Sequence, residues 1–282
     1  SDGLTQPVSA LFKMGYVDTD ALIDYTLQHK DEMAWISYPV VPPSLPAYFS
    51  DRMVCMSGFN ALIARGQQSG ELNLGRERIT LFTDYRKGDV IFNATRVNRI
   101  DGTNNNHLIR AEIELREQIM SLVRFARRYL PGFASASLSG AAGRVGVRET
   151  RRIIGDYVLN EEDVLRGRKF GDGIAKGCFP IDIHSPHDKT NVWMELEDAY
   201  DIPYRSLLPV GLDNVLLAGR NISATHEAMA SSRVQSHCMA MGQAAGVAAA
   251  MAAERKETTR EIQMAELQQR LRSQGAIVSG DL

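Results

Sequence analysis

The stretch Asp213-Asn214-Val215-Leu216-Leu217-Ala218-Gly219-Arg220-Asn221-Ile222-Ser223 decides the fold. Asp213-Asn214 is turn chemistry, and residues 215–218 are a short run with no polar side chain, the pattern of a strand buried within a parallel sheet. Gly219 closes the run, and an Ala/Met/Gly-rich helix follows, ending near Ala253. On that helix Gly242, Ala245 and Gly246 allow close approach to a ligand or to another helix; tight packing on a sheet also accounts for both glycines. Further on, Thr258 and Glu261 form a capping-box pattern ahead of Ile262, Leu267 and Leu271, with Gly275 as a stop, so a last surface helix is expected.

Upstream of Leu208 the composition turns Arg-rich and loop-rich, which places a boundary there. Residues 9–17 read as a strand ending in a turn at Gly15, followed by a helix capped by Asp18 or Asp20. Residues 38–46 hold four prolines and must be extended. Residues 53–65 suit a helix, while 79–84 and 89–95 are β-rich runs joined by Arg86-Lys87-Gly88, a hairpin pattern. The polar run Asn104-Asn105-Asn106 caps a long helix over 107–130, with apolar residues at helical spacing and Pro131-Gly132 as its stop. Residues 147–159 read as a buried strand, Asn160 as the cap of a short helix, and 171–191 as loop.

The chain has 282 residues, 44% of them hydrophobic, with 32 basic against 34 acidic side chains and a formal net charge of -2. Such a chain can bury a core, which excludes disorder, and it offers no bulk electrostatic reason to bind nucleic acid or an anionic membrane. Cys55, Cys178 and Cys238 are widely spaced and unpaired by any C-x-x-C, which suits a reducing compartment such as the cytoplasm and argues against a disulfide framework. The longest apolar stretch, residues 239–253, carries Gln243 and is shorter than the roughly 20 residues of a spanning helix. The sequence starts at Ser1 rather than Met, so any export signal is expected upstream.

Several chemistries are missing their motifs. Gly171-Asp172-Gly173 to Gly177 has the wrong spacing for a dinucleotide loop and follows a charged segment, and Gly140, Gly143 and Gly146 read as a flexible turn. Neither a G-x-S-x-G elbow nor a phosphate-binding P-loop is present. His184 and His187 beside Asp182 and Asp188 are the only grouping with metal-ligand residue types, and its proline-rich context speaks against a metal.

Taken together, Leu207-Leu208-Pro209-Val210, residues 214–223, Ser232-Arg233-Val234 and residues 241–249 resemble the C-terminal return of FAD-dependent oxidoreductases distantly related to the fumarate reductase flavoproteins. Leu4-Thr5-Gln6-Pro7-Val8 with Phe12, residues 146–152 with Gly155, and residues 200–207 resemble the middle region of the same family, in family order. The resemblance implies an α/β protein: an inserted α+β substrate domain over 1–205, the C-terminal return of a Rossmann-like FAD-binding domain over 206–253, and a C-terminal surface helix over 254–282. The family's N-terminal glycine fingerprint has no counterpart, so the chain is expected to be the C-terminal portion of a longer protein, with the N-terminal FAD-binding segment as its partner. FAD is then the implied cofactor, with Gly219, Arg220 and Asn221 at the flavin's phosphates and Ser232, Arg233 and Val234 near the isoalloxazine. Gly242, Gln243, Ala244 and Ala245 on the following helix complete the implied cofactor set, and the positive helix N-terminus suits the anion formed on reduction.

On the substrate side His184, in an Asp-x-His segment, is the candidate proton carrier for a small organic substrate that passes hydride to flavin. The alternative is a surface histidine bonded to Asp182. Arg148, Arg205 and Arg233 are candidate anion clamps, and Tyr204 is placed to reach a cleft. If residues 147–159 are a strand, Arg148 and Arg151 point to opposite faces, leaving Arg151 to pair with Glu149 or another carboxylate. His226 and His237 flank Arg233, where a capping or core role serves equally well. A second reading of the whole chain is a non-catalytic module that binds acidic sugars or a partner protein through its arginines.

Overall fold

The computed structural model describes residues 5–37, 53–72, 74, 76–185 and 191–280. These fall into two packing units that divide between Val147 and Arg148. The prolines of 38–46 and the His187/Asp188 grouping lie outside the described residues.

The first unit is built on an antiparallel six-stranded sheet. Its strands are β1 (Phe12–Gly15), β2 (Met33–Ser37), β3 (Cys55–Gly58), β4 (Ile79–Thr83), β5 (Val90–Asn93) and β6 (Ser137–Ala141), in the order β2-β3-β4-β5-β1-β6. Alternation puts Phe12, Phe92, Leu81 and Met56 opposite one another across four strands, all buried, with the Phe12 and Phe92 rings stacked at 4.5 Å. The helices are α1 (Thr19–Gln28), α2 (Asn60–Gln68) and α3 (Asn105–Tyr129), and α3 contributes Ala111, Leu115, Ile119, Leu122 and Ala126 to the same core. The expected caps form: Asp18 Oδ1 accepts from Ala21 N at 3.0 Å, and Asn104 Oδ1 accepts from Asn106 N at 3.0 Å. The hairpin forms as β4 and β5.

Residues 53–65 differ from the expected helix. Cys55–Gly58 is a strand held between β2 and β4, and the helix starts only after Phe59, whose φ of 67° breaks the chain direction. Long-range pairing overrides a weak local preference here.

The second unit contains α4 (Glu161–Leu165), β7 (Gly173–Gly177), β8 (Ile181–His184), β9 (Asn191–Met194), β10 (Tyr200–Pro203), α5 (His226–Ser232), α6 (Gln235–Arg255) and α7 (Met264–Ser273). β7 pairs with β10 and β8 with β9, both antiparallel, so the loop expected over 171–191 contains two strands. Residues 147–159 are not a buried strand: they are irregular, with isolated bridges at Gly155 and Leu159, while Ile154 is 77% exposed. Residues 215–218 also form no strand, since no described strand lies alongside to complete a ladder and Val215 is 40% exposed. Asn160 caps α4 with a full capping box, but the Thr258/Glu261 pair closes a turn and α7 begins later, at Met264.

Helices and sheets are therefore mixed, and every pairing between named strands is antiparallel. Residues 148–185 and 191–205 share the second unit's core with residues 206–280, so packing does not follow the composition change at Leu208.

Candidate functional site

β8 carries the site. With Ile181 and Ile183 turned to the core, Asp182 and His184 share the other face of the strand. His184 Nε2 lies 3.1 Å from Asp182 Oδ2, and both side chains are largely buried. Helix α5, capped by Thr225 through Ala228 N at 3.3 Å, ends at Arg233, whose Nη2 donates to the Asp182 carbonyl at 3.1 Å and sits 3.6 Å from Oδ2. Burial works to raise the Asp182 carboxyl, but the hydrogen bond from His184 and the charges of His184, Arg233 and Arg148 outweigh it and hold the group below the usual carboxylate range. Burial pushes the Arg233 guanidinium down, against the opposing pull of Asp182 and Glu149.

An ionised Asp182 can only accept, so the proton of a neutral His184 belongs on Nε2 and the basic ring nitrogen is Nδ1. The arrangement is an imidazole oriented by a carboxylate, which is itself fixed by a buried arginine.

A second carboxylate–histidine pair adjoins the first. Glu149, 3% exposed, accepts from Arg152 Nη1 and lies 2.9 Å from Nδ1 of His226, the first residue of α5. That hydrogen bond raises the His226 imidazole against the opposing effect of burial. The partner of Glu149 is thus Arg152 and not Arg151, which is exposed: without a regular strand the alternation argument for Arg148 and Arg151 does not apply. His237 is buried and its ring pushed down, which suits Nε2 accepting from Cys178 N at 3.4 Å.

Gly219 has a φ of 100°, and the nearest atom to a Cβ there would be Cys238 Sγ at 3.8 Å. Cys238 Sγ contacts the Arg233 carbonyl at 3.3 Å, and the exposed Arg220 acts electrostatically on both Arg233 and Cys238. The Asn221 carbonyl accepts from Ile153 N at 3.1 Å, which ties this loop to the segment carrying Arg148. Ser232 is buried in the last turn of α5, and Val234 is the N-cap of α6 with no side-chain cap, leaving the first N–H groups of a 21-residue helix to other partners.

His184, Arg148 and Arg233 therefore gather around Asp182, with Arg220 acting on Arg233 and Cys238, while Tyr204 and Arg205 do not join them. Tyr204 is buried and donates to the Thr259 carbonyl at 2.7 Å; Arg205 holds Asp172 at 2.9 Å and lies over the Tyr157 ring at 5.2 Å. Along α6, Gly242 is exposed with nothing within 4 Å of a would-be Cβ, so helix packing does not explain it. Gln243 donates to Gln274 Oε1 at 3.0 Å, Ala244 is in the core and Ala245 packs against it. The sequence offers Asp182 as the partner of a surface His184 and Glu149 as a partner for Arg151; the His184–Asp182 bond forms, but on a buried histidine, and Arg152 had no signal in the sequence.

Among known families, one described as FAD dependent oxidoreductase matches residues 1–271. The chain belongs to that family. Comparison with curated proteins and with solved structures finds no match. The residues of this chain fit a flavin in part. The left-handed Gly219 turn, exposed Arg220 and the uncapped start of α6 are of the kind that can take up an anion, whereas the Ala244 side chain is taken up by the core. Among the described residues no helix is long and apolar enough to cross a membrane, and no group of three or more His, Cys, Asp or Glu could hold a metal.

Proposed function

We propose that this FAD-dependent oxidoreductase oxidises a small organic substrate at a carbon bearing a hydroxyl or amine, with His184 carrying the proton. The Asp182–His184–Arg233 constellation supports this reading most directly. When bound, flavin supplies the two-electron hydride acceptor. His184 Nδ1 takes the proton of the substrate's hydroxyl or amine, Asp182 keeps the other ring nitrogen protonated, and Arg233 holds Asp182 in place. Arg148 supplies positive charge at the same cluster, where a developing alkoxide or a substrate carboxylate is stabilised. Gly219, Arg220, Asn221 and the start of α6 are assigned to the flavin, with Ser232, Val234, Gly242, Gln243 and Ala245 as outer neighbours of that surface.

The cofactor surface of this chain is incomplete in our reading. Residues 215–218 are apolar and form no ladder with a described strand, which suits an added strand from an N-terminal FAD-binding segment. We assign substrate handling to the region ahead of Leu208.

The test uses the flavin-loaded protein and anaerobic reduction by a panel of sugars, 2-hydroxy acids and primary amines. With the best reductant, His184→Gln should slow flavin reduction by about 10²- to 10⁴-fold while leaving the bound-flavin spectrum intact. An unchanged rate removes His184 from the mechanism. Failure of every panel member to reduce a retained flavin removes the reaction class.

A further inference from the structure

The hairpin that carries Asp182 and His184 also presents an aromatic ring that the proton-transfer assignment leaves unused. In the β8–β9 register Asp182 lies opposite Trp193 and His184 opposite Asn191, so all four share one face of the hairpin. Ile181, Ile183 and Met194, on the other face, pack against the core. Trp193 is 54% exposed, an unusual position for the largest side chain in an ordered strand. Its orientation is nevertheless fixed. The indole Nε1 donates to Glu195 Oε1 at 2.6 Å, and the ring meets Phe179 edge-on at 5.8 Å. Phe179 is anchored in turn, since its carbonyl accepts from Ser231 Oγ.

We propose that Trp193 is the stacking platform for a polyhydroxylated ring, such as a pyranose, whose hydroxyls meet Asp182, Asn191 and Glu195 beside it. This names the substrate class and rests on the assignment of Asp182–His184 as the proton-handling pair. The C–H bonds on one face of a pyranose are polarised by neighbouring oxygens and suit the negative face of an indole, whereas its equatorial hydroxyls donate outward to carboxylates. Glu195 and Asn191 are exposed at the ring's margin, and Asp182 is the more exposed member of the buried pair. A purely apolar partner would strip water from these acceptors without replacing it. An ammonium ligand would face Arg233, which already holds Asp182, and the positive charge of Arg148.

Flavin is not needed for the test, so its failure is separable from failure of the redox reading. The chain has two tryptophans, and Trp35→Phe leaves Trp193 as the single fluorescence reporter. Titration with D-glucose and with D-glucuronate should give saturable changes in Trp193 emission, with at least one apparent Kd in the millimolar range. Calorimetry on Trp193→Ala should show at least tenfold weaker binding, and Trp193→Phe, which keeps a ring, should recover most of it; unchanged melting curves certify the folds. No saturation with either sugar overturns the proposal. Equal affinity in Trp193→Ala, or saturation by choline alone, overturns it as well.

Discussion

Asp201→Asn is a substitution whose cost can be worked from the structure. Asp201 is fully buried, accepts from Phe170 N at 2.9 Å and pairs with Lys176 Nζ at 3.2 Å, whose side chain is only 7% exposed. Asparagine keeps the shape and one acceptor but leaves Lys176 as an uncompensated buried cation, a loss of about 3–5 kcal/mol. A melting temperature lower by roughly 6 to 20 °C is therefore expected for a chain of this size. Adding Lys176→Met removes the orphaned charge and should restore at least half the loss. Calorimetric melts decide the matter: a single-variant loss under about 1 kcal/mol, or a double variant no better than the single, refutes the buried-pair reasoning.

Two further outcomes follow from the site. His226 is raised above its ordinary 6.5 by Glu149, so its contribution to stability is full below that value and is lost as pH rises through the raised one. In melts from about pH 5 to pH 9, His226→Gln should flatten that decline, and an unchanged slope would exclude the pair as its source. Gly219→Ala should cost about 1–3 kcal/mol through its φ of 100° and not through crowding, while Gly242→Ala should be neutral or stabilising, with open space around it in mid-helix. Denaturant midpoints compare the two, and a neutral Gly219→Ala would mean that the left-handed turn is not enforced.

What the sequence made legible is what local chemistry dictates. Asp18, Asn104 and Asn160 cap their helices because a short polar side chain reaches the N–H groups of the next turn, and that preference needs no tertiary context. The hairpin of β4 and β5 was legible for the same reason, since both runs and their turn are contiguous. Cys55–Gly58 and Gly173–Gly177 were not, because each becomes a strand only by pairing with a segment distant in sequence. Residues 215–218 fail in the opposite sense. Their apolar run specifies burial between neighbours, and without a neighbouring described strand the same residues form no ladder and stay partly exposed.

The candidate site divides along the same line. His184 stands out in a segment that reads as loop, through its Asp-x-His resemblance; that residues 181–184 form a strand, where residues two apart share a face, was not legible. The pairing of Glu149 was not legible either, because its partners Arg152 and His226 come together only when the 148–159 segment threads past the start of α5. That threading is set by backbone bonds such as Ile153 N to the Asn221 carbonyl and Leu159 N to the Ser223 carbonyl, which have no side-chain signature. The consequence reaches the chemistry. The loop assigned to flavin phosphate and the segment bearing Arg148 and Glu149 are stitched to each other. A substitution that loosens those backbone bonds should therefore disturb the Asp182–Arg233 cluster and the Gly219 turn together, even though no side chain of the stitch takes part in either.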